Sequence, residues 1–448
     1  MKAAWLASVL RKRARLRRNE RWSRRELEAY QARALRELRD HAVARSAFYR
    51  RLHRGLETRP LDELPVVTKA MLMENFDELA VDAEVRRAGV EEHLAGLALG
   101  DARYLDRYWV VSTSGTSGRR GLFLADTDEW TTILASYARA NDWAGLKVGL
   151  AHHLKVAVVS SRVPWYQSVR VGTTLESPLV RTLRLDATAP LAETTAALDA
   201  FAPDSLVGYA SMARVLAEEQ LAGRLHIAPR AVMSASEALT DESRRRIAEA
   251  FGAPPFNVYA ATETAGIASD CAQHRMHVYE DLVVVEAVDE KDRAVPPGTF
   301  GAKLLVTVLF SRTQPLIRYE MSDRVALAPS GEPCPCGRRF ALLSGIDGRA
   351  EDILELPGAD GPVRVHPNVF HRVLEPVPAA GWQVVQERDG VRVLLAGAPP
   401  TLDGDSVAAA VRRELAHAGV TAPEVRLERV DAIPKTAAGK APLVRALR

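Results

Sequence analysis

The chain has 448 residues, 47% of them hydrophobic and 26% charged, with a formal net charge of +3. That length suits a large domain with a smaller one, and a charge so near neutral leaves no global nucleic-acid footprint. Three cysteines, Cys271, Cys334 and Cys336, are too few for a disulfide scaffold and fit a reducing cytoplasm, and no run of about 18 apolar residues offers a membrane span. At the N-terminus a mildly apolar segment, 1–10, precedes an arginine-dense one, 11–25. A secretory leader has the reverse order, so the expectation is a basic helix with a solvated face, lying on the body of the protein or in weak contact with an acidic surface.

Residues 20–55 read as helix, with Leu27, Tyr30, Leu35, Leu38 and Ala42 at roughly helical spacing. Residues 61–65 break into a turn, a further helix starts at 68–72, and 84–104 read as helix or loop. The apolar run 108–111 predicts a strand. It leads into Ser112-Thr113-Ser114-Gly115-Thr116-Ser117-Gly118-Arg119-Arg120-Gly121. Hydroxyls donate hydrogen bonds, and glycines let successive N–H groups turn toward one point, as an anion requires. The spacing is not that of a Walker loop, and taken alone a solvated polar loop fits the run equally well.

Strands are then expected at 155–159, 205–209, 231–233 and 256–259, alternating with helices at 191–201, 212–222 and 241–251. That alternation predicts a mostly parallel sheet covered on both faces. From His277 the pattern changes, and 278–288 and 303–310 alternate like antiparallel strands around the turn Pro296-Pro297-Gly298. A boundary is expected at 345–352. Beyond it strands at 353–356, 383–386, 391–395 and 425–427 and a helix at 405–418 predict a small α+β domain. The expected class is α/β: an N-terminal domain over 1–348 with mostly parallel sheets, an antiparallel β subdomain and a helical arm over about 1–60, then a small α+β C-terminal domain over 349–448, which the resemblance set out below implies to be a mobile lid.

Five motifs in one order carry a resemblance. They are Ser114-Gly115-Thr116-Ser117-Gly118; Ser234-Ala235-Ser236-Glu237-Ala238-Leu239; Tyr259-Ala260-Ala261-Thr262-Glu263; Ile317 to Asp323 with Gly348-Arg349-Ala350-Glu351-Asp352; and Pro434-Lys435-Thr436-Ala437-Ala438-Gly439-Lys440. In these the chain resembles the adenylate-forming superfamily of acyl-CoA synthetases, adenylation domains and luciferases, and within it the phenylacetate–CoA ligase-like branch. The resemblance runs from about Glu20 to the C-terminus. It includes the N-terminal pattern of Gln31-Ala32, Phe48-Tyr49-Arg50, Leu64-Pro65 and Thr68-Lys69.

The resemblance implies a role for each motif. Ser114 to Gly118 would bind the β- and γ-phosphates of ATP, with Arg119, Arg120 and Gly121 where the family commonly has Pro-Lys. Ser236, Glu237 and Ala238 would wall the adenine, although the segment taken alone reads as a helix N-cap. Tyr259 and Ala260 would face the adenine, Thr262 a phosphate oxygen, and Glu263 a magnesium ion. Asp323 would accept from the ribose hydroxyls, Arg349 would touch ribose or phosphate, and Glu351 would be the lid pivot. Lys440 would offset the charge that grows on the α-phosphate.

The cysteines form a separate set. Cys271 lies near His274 and His277, and Cys334 and Cys336 share a tight turn. Three thiolates and an imidazole suit tetrahedral zinc, and members of the branch carry such a structural site. The favoured set is Cys271, His277, Cys334 and Cys336, with His274 as the alternative nitrogen.

The activity implied is attack of a carboxylate on the α-phosphorus of Mg·ATP to give acyl-AMP and pyrophosphate, then transfer to the thiol of CoA. Trp165, Tyr166, Tyr209 and Ser211 are the acid-pocket candidates, and the aromatic rings suit a small aryl acid. Transfer to an amine or a carrier-protein thiol is the alternative, kept by the insertion at 356–366 where the family has a loop that helps bind CoA. A reading of another class is a zinc-stapled, non-catalytic nucleotide binder, which the retained Glu263, Asp323 and Lys440 oppose. The oligomeric state is left open.

Overall fold

The structure is a computed structural model, and its described residues are 3–97, 102–113, 120–146, 148, 153–174, 179–329, 333–349, 352–359, 361–365, 367–388, 390–436 and 439–447. They form two compact units. The first comprises Met1–Val156, Ser161–Leu183 and Phe256–Ile346, and the second Ala157–Ser160, Arg184–Pro255 and Asp347–Arg448. No helix among the described residues is long and apolar enough to cross a membrane.

In the first unit the N-terminal arm is three helices, Ala3–Asn19, Arg24–Arg45 and Ala47–Leu52, the last two standing where one helix was expected over 20–55. Ser23 caps the second with a reciprocal Glu26 contact, and Ser46 ends it and caps the third. The basic first helix lies on the body of the unit, against the helix Thr127–Trp143. Arg13 and Arg17 both pair with Asp142, Lys12 pairs with Asp128 at 2.9 Å, and Trp5 stacks on Trp109 at 5.7 Å. Trp109 stacks in turn on Trp130 at 5.6 Å.

The helix Thr127–Trp143 is buried on many sides, and Arg139 is paired within it to Asp281 by two bonds of 2.7 Å. Asn19 donates to the same carboxylate at 2.8 Å. A buried charge without such a partner would be strongly destabilising.

Three antiparallel arrangements complete this unit. Trp109–Ser112 pairs with Leu122–Ala125. Val283–Val288, Lys303–Val308 and Tyr319–Met321 form a second sheet. Phe256–Ala261, Ala265–Asp270 and Met276–Val278 run antiparallel in turn, and Leu342–Arg349 pairs with the last. The antiparallel region therefore begins before His277, and the single strand expected over 278–288 is two strands in different sheets.

The second unit carries the alternating α/β pattern. Ser205–Gly208 and Ala231–Ala235 are parallel, with the helices Leu191–Phe201, Ala210–Leu221 and Asp241–Phe251 before, between and after them. Its C-terminal residues add the hairpin Leu354–Gly358 with Gly361–Val365, and a mixed sheet of Glu424–Val430, Gly390–Ala396, Gly381–Glu387 and Val444–Arg445. The helices Asn368–Leu374 and Gly404–His417 cover that sheet, and Leu354, Phe370, Val384, Val393 and Leu415 lie in an apolar cluster of its own. The α/β class with an antiparallel subdomain and an α+β C-terminal part is as expected.

Candidate active site

In the first unit the predicted phosphate loop is the connection of a β-hairpin. Thr113 N–H donates to the Gly121 carbonyl at 3.0 Å, and Gly121 N–H donates to Thr113 Oγ1 at 2.8 Å, so the base of the connection is closed. Ser114 to Gly118 and Arg119 lie outside the described residues. Arg120 stacks over the Trp165 ring at 5.3 Å, and the Trp165 carbonyl accepts from Ser112 N–H at 2.9 Å. Arg120 and Trp165 line a cavity of about 660 Å³ with Met73, Arg87, Leu94 and Leu122.

Tyr259 and Ala260 lie at the end of the strand Phe256–Ala261, where a register shift interrupts the pairing with Ala265–Asp270. Such bulges re-aim side chains. Thr262 and Glu263 occupy the hairpin turn that follows, and Ala265 beyond it has φ 60. Gln167 holds this turn by donating to the Thr262 carbonyl at 3.1 Å, and Tyr137 Oη bonds the same Gln167 at 2.7 Å.

The Glu263 side chain is only 10% exposed. Tyr319 Oη donates to its Oε1 at 3.2 Å, and Lys69 Nζ stands 3.7 Å from the same atom. Burial, followed by the Glu263 charge, pushes the Tyr319 phenol far above its ordinary range, so it remains a donor. Lys69 is placed by the backbone around it. Val67 N–H donates to the Arg318 carbonyl at 3.0 Å, Glu320 N–H donates back to Val67 at 2.9 Å, and Thr68 caps the helix Lys69–Glu74. Arg318 itself, at φ 50, is a clamp: it donates to the Asp62 and Leu64 carbonyls and pairs with Glu286 at 3.2 Å. Asp323 begins the strand Asp323–Leu327.

The second unit holds the C-terminal lysine loop. Thr436 N–H donates to the Lys440 carbonyl and Gly439 N–H to the Thr436 carbonyl, both at 2.8 Å, which closes a tight turn. Gly439 has φ +75, and a Cβ there would lie 3.0 Å from Ala187 Cβ, so both the conformation and the packing demand glycine. Lys435 donates to the Ala187 carbonyl, and burial lowers its pKa. Lys440 Nζ lies 5.8 Å from the Tyr209 ring centroid. Glu237 accepts from Ser211 N–H and from Ala441 N–H, each at 2.9 Å. Burial raises the Glu237 carboxyl above its usual range, against those donors and the Lys440 charge. Ser236 before it is left-handed, φ 67, and Ser236 and Ala238 are exposed.

A third cluster lies within the first unit. One ligand atom from each of Cys271, His277, Cys334 and Cys336 lies within 4.8 Å of all the others. Cys271 and Cys334 sulfurs are 3.7 Å apart, and Cys336 Sγ is 3.3 Å from His277 Nε2. Metal–sulfur bonds of about 2.3 Å in a tetrahedron space two sulfurs about 3.8 Å apart, so the set fits zinc. His277 Nδ1 lies 3.0 Å from the Phe340 carbonyl, which leaves Nε2 facing the thiols. Burial lowers the His277 pKa to about 4, so the ring is neutral at pH 7, as a ligand must be. Burial also pushes the Cys334 thiol up to about 12. His274, the alternative nitrogen, stacks instead on the Phe256 ring at 4.6 Å.

No protein-family model matches the chain. Phenylacetate–coenzyme A ligase of Thermus thermophilus is 31% identical over 162 residues, 35% of this chain and 35% of that protein. Protein CapK of Staphylococcus aureus is 25% identical over 245 residues, 54% of this chain and 53% of its own length. The chain thus spans about half or less of the length of these curated relatives. Among solved structures, 2-hydroxyisobutyryl-CoA ligase in its postadenylation state with 2-HIB-AMP superposes with a TM-score of 0.73 at 21% identity, over 96% of this chain and 92% of that one. The chain is thus similar over about a third of its length to phenylacetate–CoA ligase and has the fold of 2-hydroxyisobutyryl-CoA ligase. The anthranilate CoA ligase AuaEII bound to anthranoyl-AMP shares that fold more distantly, with a TM-score of 0.51 at 17% identity over 74% of this chain and 64% of that one.

Against this fold the expected site residues fall into two groups. Tyr259, Ala260, Thr262, Glu263, Asp323 and Trp165 belong to the first unit, and Tyr209, Ser211, Ser236, Glu237, Ala238 and Lys440 to the second. Arg349 ends the strand Leu342–Arg349, and Glu351 lies outside the described residues. Two side chains beside Glu263 carry no role in the sequence reading. Lys69 and Tyr319 stand inside motifs noted there, and only the pairing of 67 with 319 reveals that they meet the same carboxylate.

Proposed function

We propose that the chain activates a carboxylic acid with ATP and transfers the acyl group to CoA. The acid's oxygen attacks the α-phosphorus, pyrophosphate leaves, and acyl-AMP forms. The CoA sulfur then attacks the acyl carbon, and AMP leaves with the electron pair of the broken C–O bond. Carboxylates are weak nucleophiles, so positioning and charge stabilisation have to lower the barrier. The observation that carries the reading is the lysine loop, a tight turn docked so that Lys440 lies over Tyr209. A solvated basic tail has no reason to be built this way.

In this reading Ser114 to Gly118 cradle the β- and γ-phosphates, Tyr259 and the 236–238 segment hold the adenine, and Asp323 and Arg349 hold the ribose. Thr262 contacts a phosphate oxygen, and Lys440 offsets the growing charge. Glu263, oriented by Tyr319, is the residue that would hold magnesium, and the metal would supply charge neutralisation on the phosphates. The acid is a small aryl or similar acid, with Trp165, Tyr209 and Ser211 as its pocket. Residues 349–448 act as a lid that turns about Glu351 between the half-reactions, and such steps often limit turnover. Zinc held by Cys271, His277, Cys334 and Cys336 is structural, since four protein ligands leave no open position. The location is the cytoplasm.

An amine or carrier-protein thiol is the second acceptor reading. The hairpin Leu354–Gly358 with Gly361–Val365 supports it, because it stands where the family has a loop that helps bind CoA. The test is pyrophosphate exchange into ATP across a panel of acids, followed by CoA, amines or hydroxylamine with each active acid. Acid-dependent exchange with thioester product supports the first reading, and amide product without thioester supports the second. No exchange with any acid contradicts both and favours a nucleotide binder.

A further inference from the structure

One carboxylate ties the lysine loop to the helix Ala210–Leu221. Glu237 Oε2 accepts from Ser211 N–H at 2.9 Å, one of the helix's first-turn donors that have no partner within the helix. Glu237 Oε1 accepts from Ala441 N–H at 2.9 Å, the residue that follows Lys440. Both carboxyl oxygens accept from backbone N–H groups, and one does so at a helix N-terminus, where the aligned peptide dipoles favour an anion. Ser236 adopts a left-handed backbone, φ 67, which a serine rarely does without cause. That turn directs the Glu237 side chain inward while Ser236 and Ala238 stay exposed. Ala441 is buried, so its N–H would go unsatisfied if Glu237 were removed.

Two other ties hold the loop, the Lys435 ammonium on the Ala187 carbonyl and Gly439 against Ala187, Thr188 and Tyr209. The Glu237 tie at Ala441 and the Gly439 contact flank Lys440 on its two sides. We propose that Glu237 is a latch: a positioning residue whose carboxylate holds residues 439–441 on the 210–221 helix and so keeps Lys440 over Tyr209. The same segment, 236–238, walls the adenine in the reading above, so the latch also links nucleotide occupancy to loop docking. Its catalytic consequence rests on the adenylating reading, whereas the docking itself does not.

The test compares wild type with Glu237→Gln, using the full chain. Glutamine keeps the volume but removes the charge and presents an NH2 group to one of the two N–H donors. Losing a charge-assisted bond shifts a docking equilibrium by about ten- to a hundredfold. Trypsin should therefore cut after Lys435 and Lys440 at least about tenfold faster in the variant, with other sites unchanged. The kcat of pyrophosphate exchange should fall about tenfold or more. Thiolysis of supplied acyl-AMP should fall much less. An unchanged cleavage rate, or a raised KM for ATP with kcat intact, overturns the latch. If wild type shows no acid-dependent exchange, the adenylating reading fails and the cleavage rates still decide the latch. Should the variant not fold, hydrogen exchange on wild type decides instead: a protected Ala441 amide supports the latch and an unprotected one overturns it.

Discussion

At the scale of single residues, two buried acids, Asp281 and Glu129, and the half-buried Glu237 set much of the energetics. Asp281 neutralises Arg139 inside the first unit, with Asn19 as a further donor. Asp281→Ala leaves the guanidinium buried and unpaired and should cost about 3–5 kcal/mol, read as a lower denaturant midpoint in urea. Glu129 accepts from the N–H groups of Asp126 at 2.7 Å and Thr313 at 2.8 Å, and from Arg312 N–H and the Thr313 hydroxyl. Burial, then the charge of Asp126, still pushes its carboxyl up to about 6. The folded state thus holds this proton more tightly than the unfolded chain, whose reference is 4.5. The stability it contributes is full below 4.5 and is lost as pH rises through about 6, about 2 kcal/mol in all. Urea unfolding of wild type and Glu129→Gln between pH 4.5 and 7 should show that fall only in wild type. The third acid, Glu237, acts on the lysine loop. Gly439→Ala should loosen the same loop through its φ of +75 and the 3.0 Å approach to Ala187, and slow exchange without changing which acid is used.

At the scale of elements, the cluster of Cys271, His277, Cys334 and Cys336 joins the strand Met276–Val278 and the turn before it to the segment before Leu342–Arg349. We expect one zinc per chain by elemental analysis, and chelation should lower the melting temperature and raise protease sensitivity. Cys334→Ser should lose the metal. A full metal complement in that variant would remove Cys334 from the set.

The helices Leu191–Phe201 and Asp241–Phe251 were legible because their few buried residues, Thr194, Thr195 and Leu198 in the first and Ile247 in the second, leave the rest of each helix outward. Thr127–Trp143 was not, since Glu129, Thr131, Thr132, Ser136 and Arg139 are buried along with its apolar residues and no clean polar face remains. Its Asp126–Glu129 capping box was the available signal. The strand Ala265–Asp270 was missed for a different reason. Its small residues have little strand preference, and Gly266 is there because a Cβ would lie 2.7 Å from the Tyr279 ring.

At the scale of the whole molecule, motif order was more informative than any one motif. Lys440 is far from Glu237 in sequence, and the chain folds the loop that carries it onto that residue's carboxylate. What the sequence hid was which side chains orient the chemistry: Tyr319 and Lys69 meet Glu263 only through the pairing of distant strands and turns. The lid proposal belongs to this scale. Fixing the pivot with Glu351→Pro should spare acyl-AMP formation and slow its thiolysis, measured as separate half-reactions.

The most direct measurement is acid-dependent pyrophosphate exchange by wild type and Lys440→Ala, alongside thiolysis of supplied acyl-AMP. The account predicts exchange in wild type, its loss by about a hundredfold or more in the variant, and largely retained thiolysis. Exchange that survives in Lys440→Ala, or equal loss of both half-reactions, would contradict it.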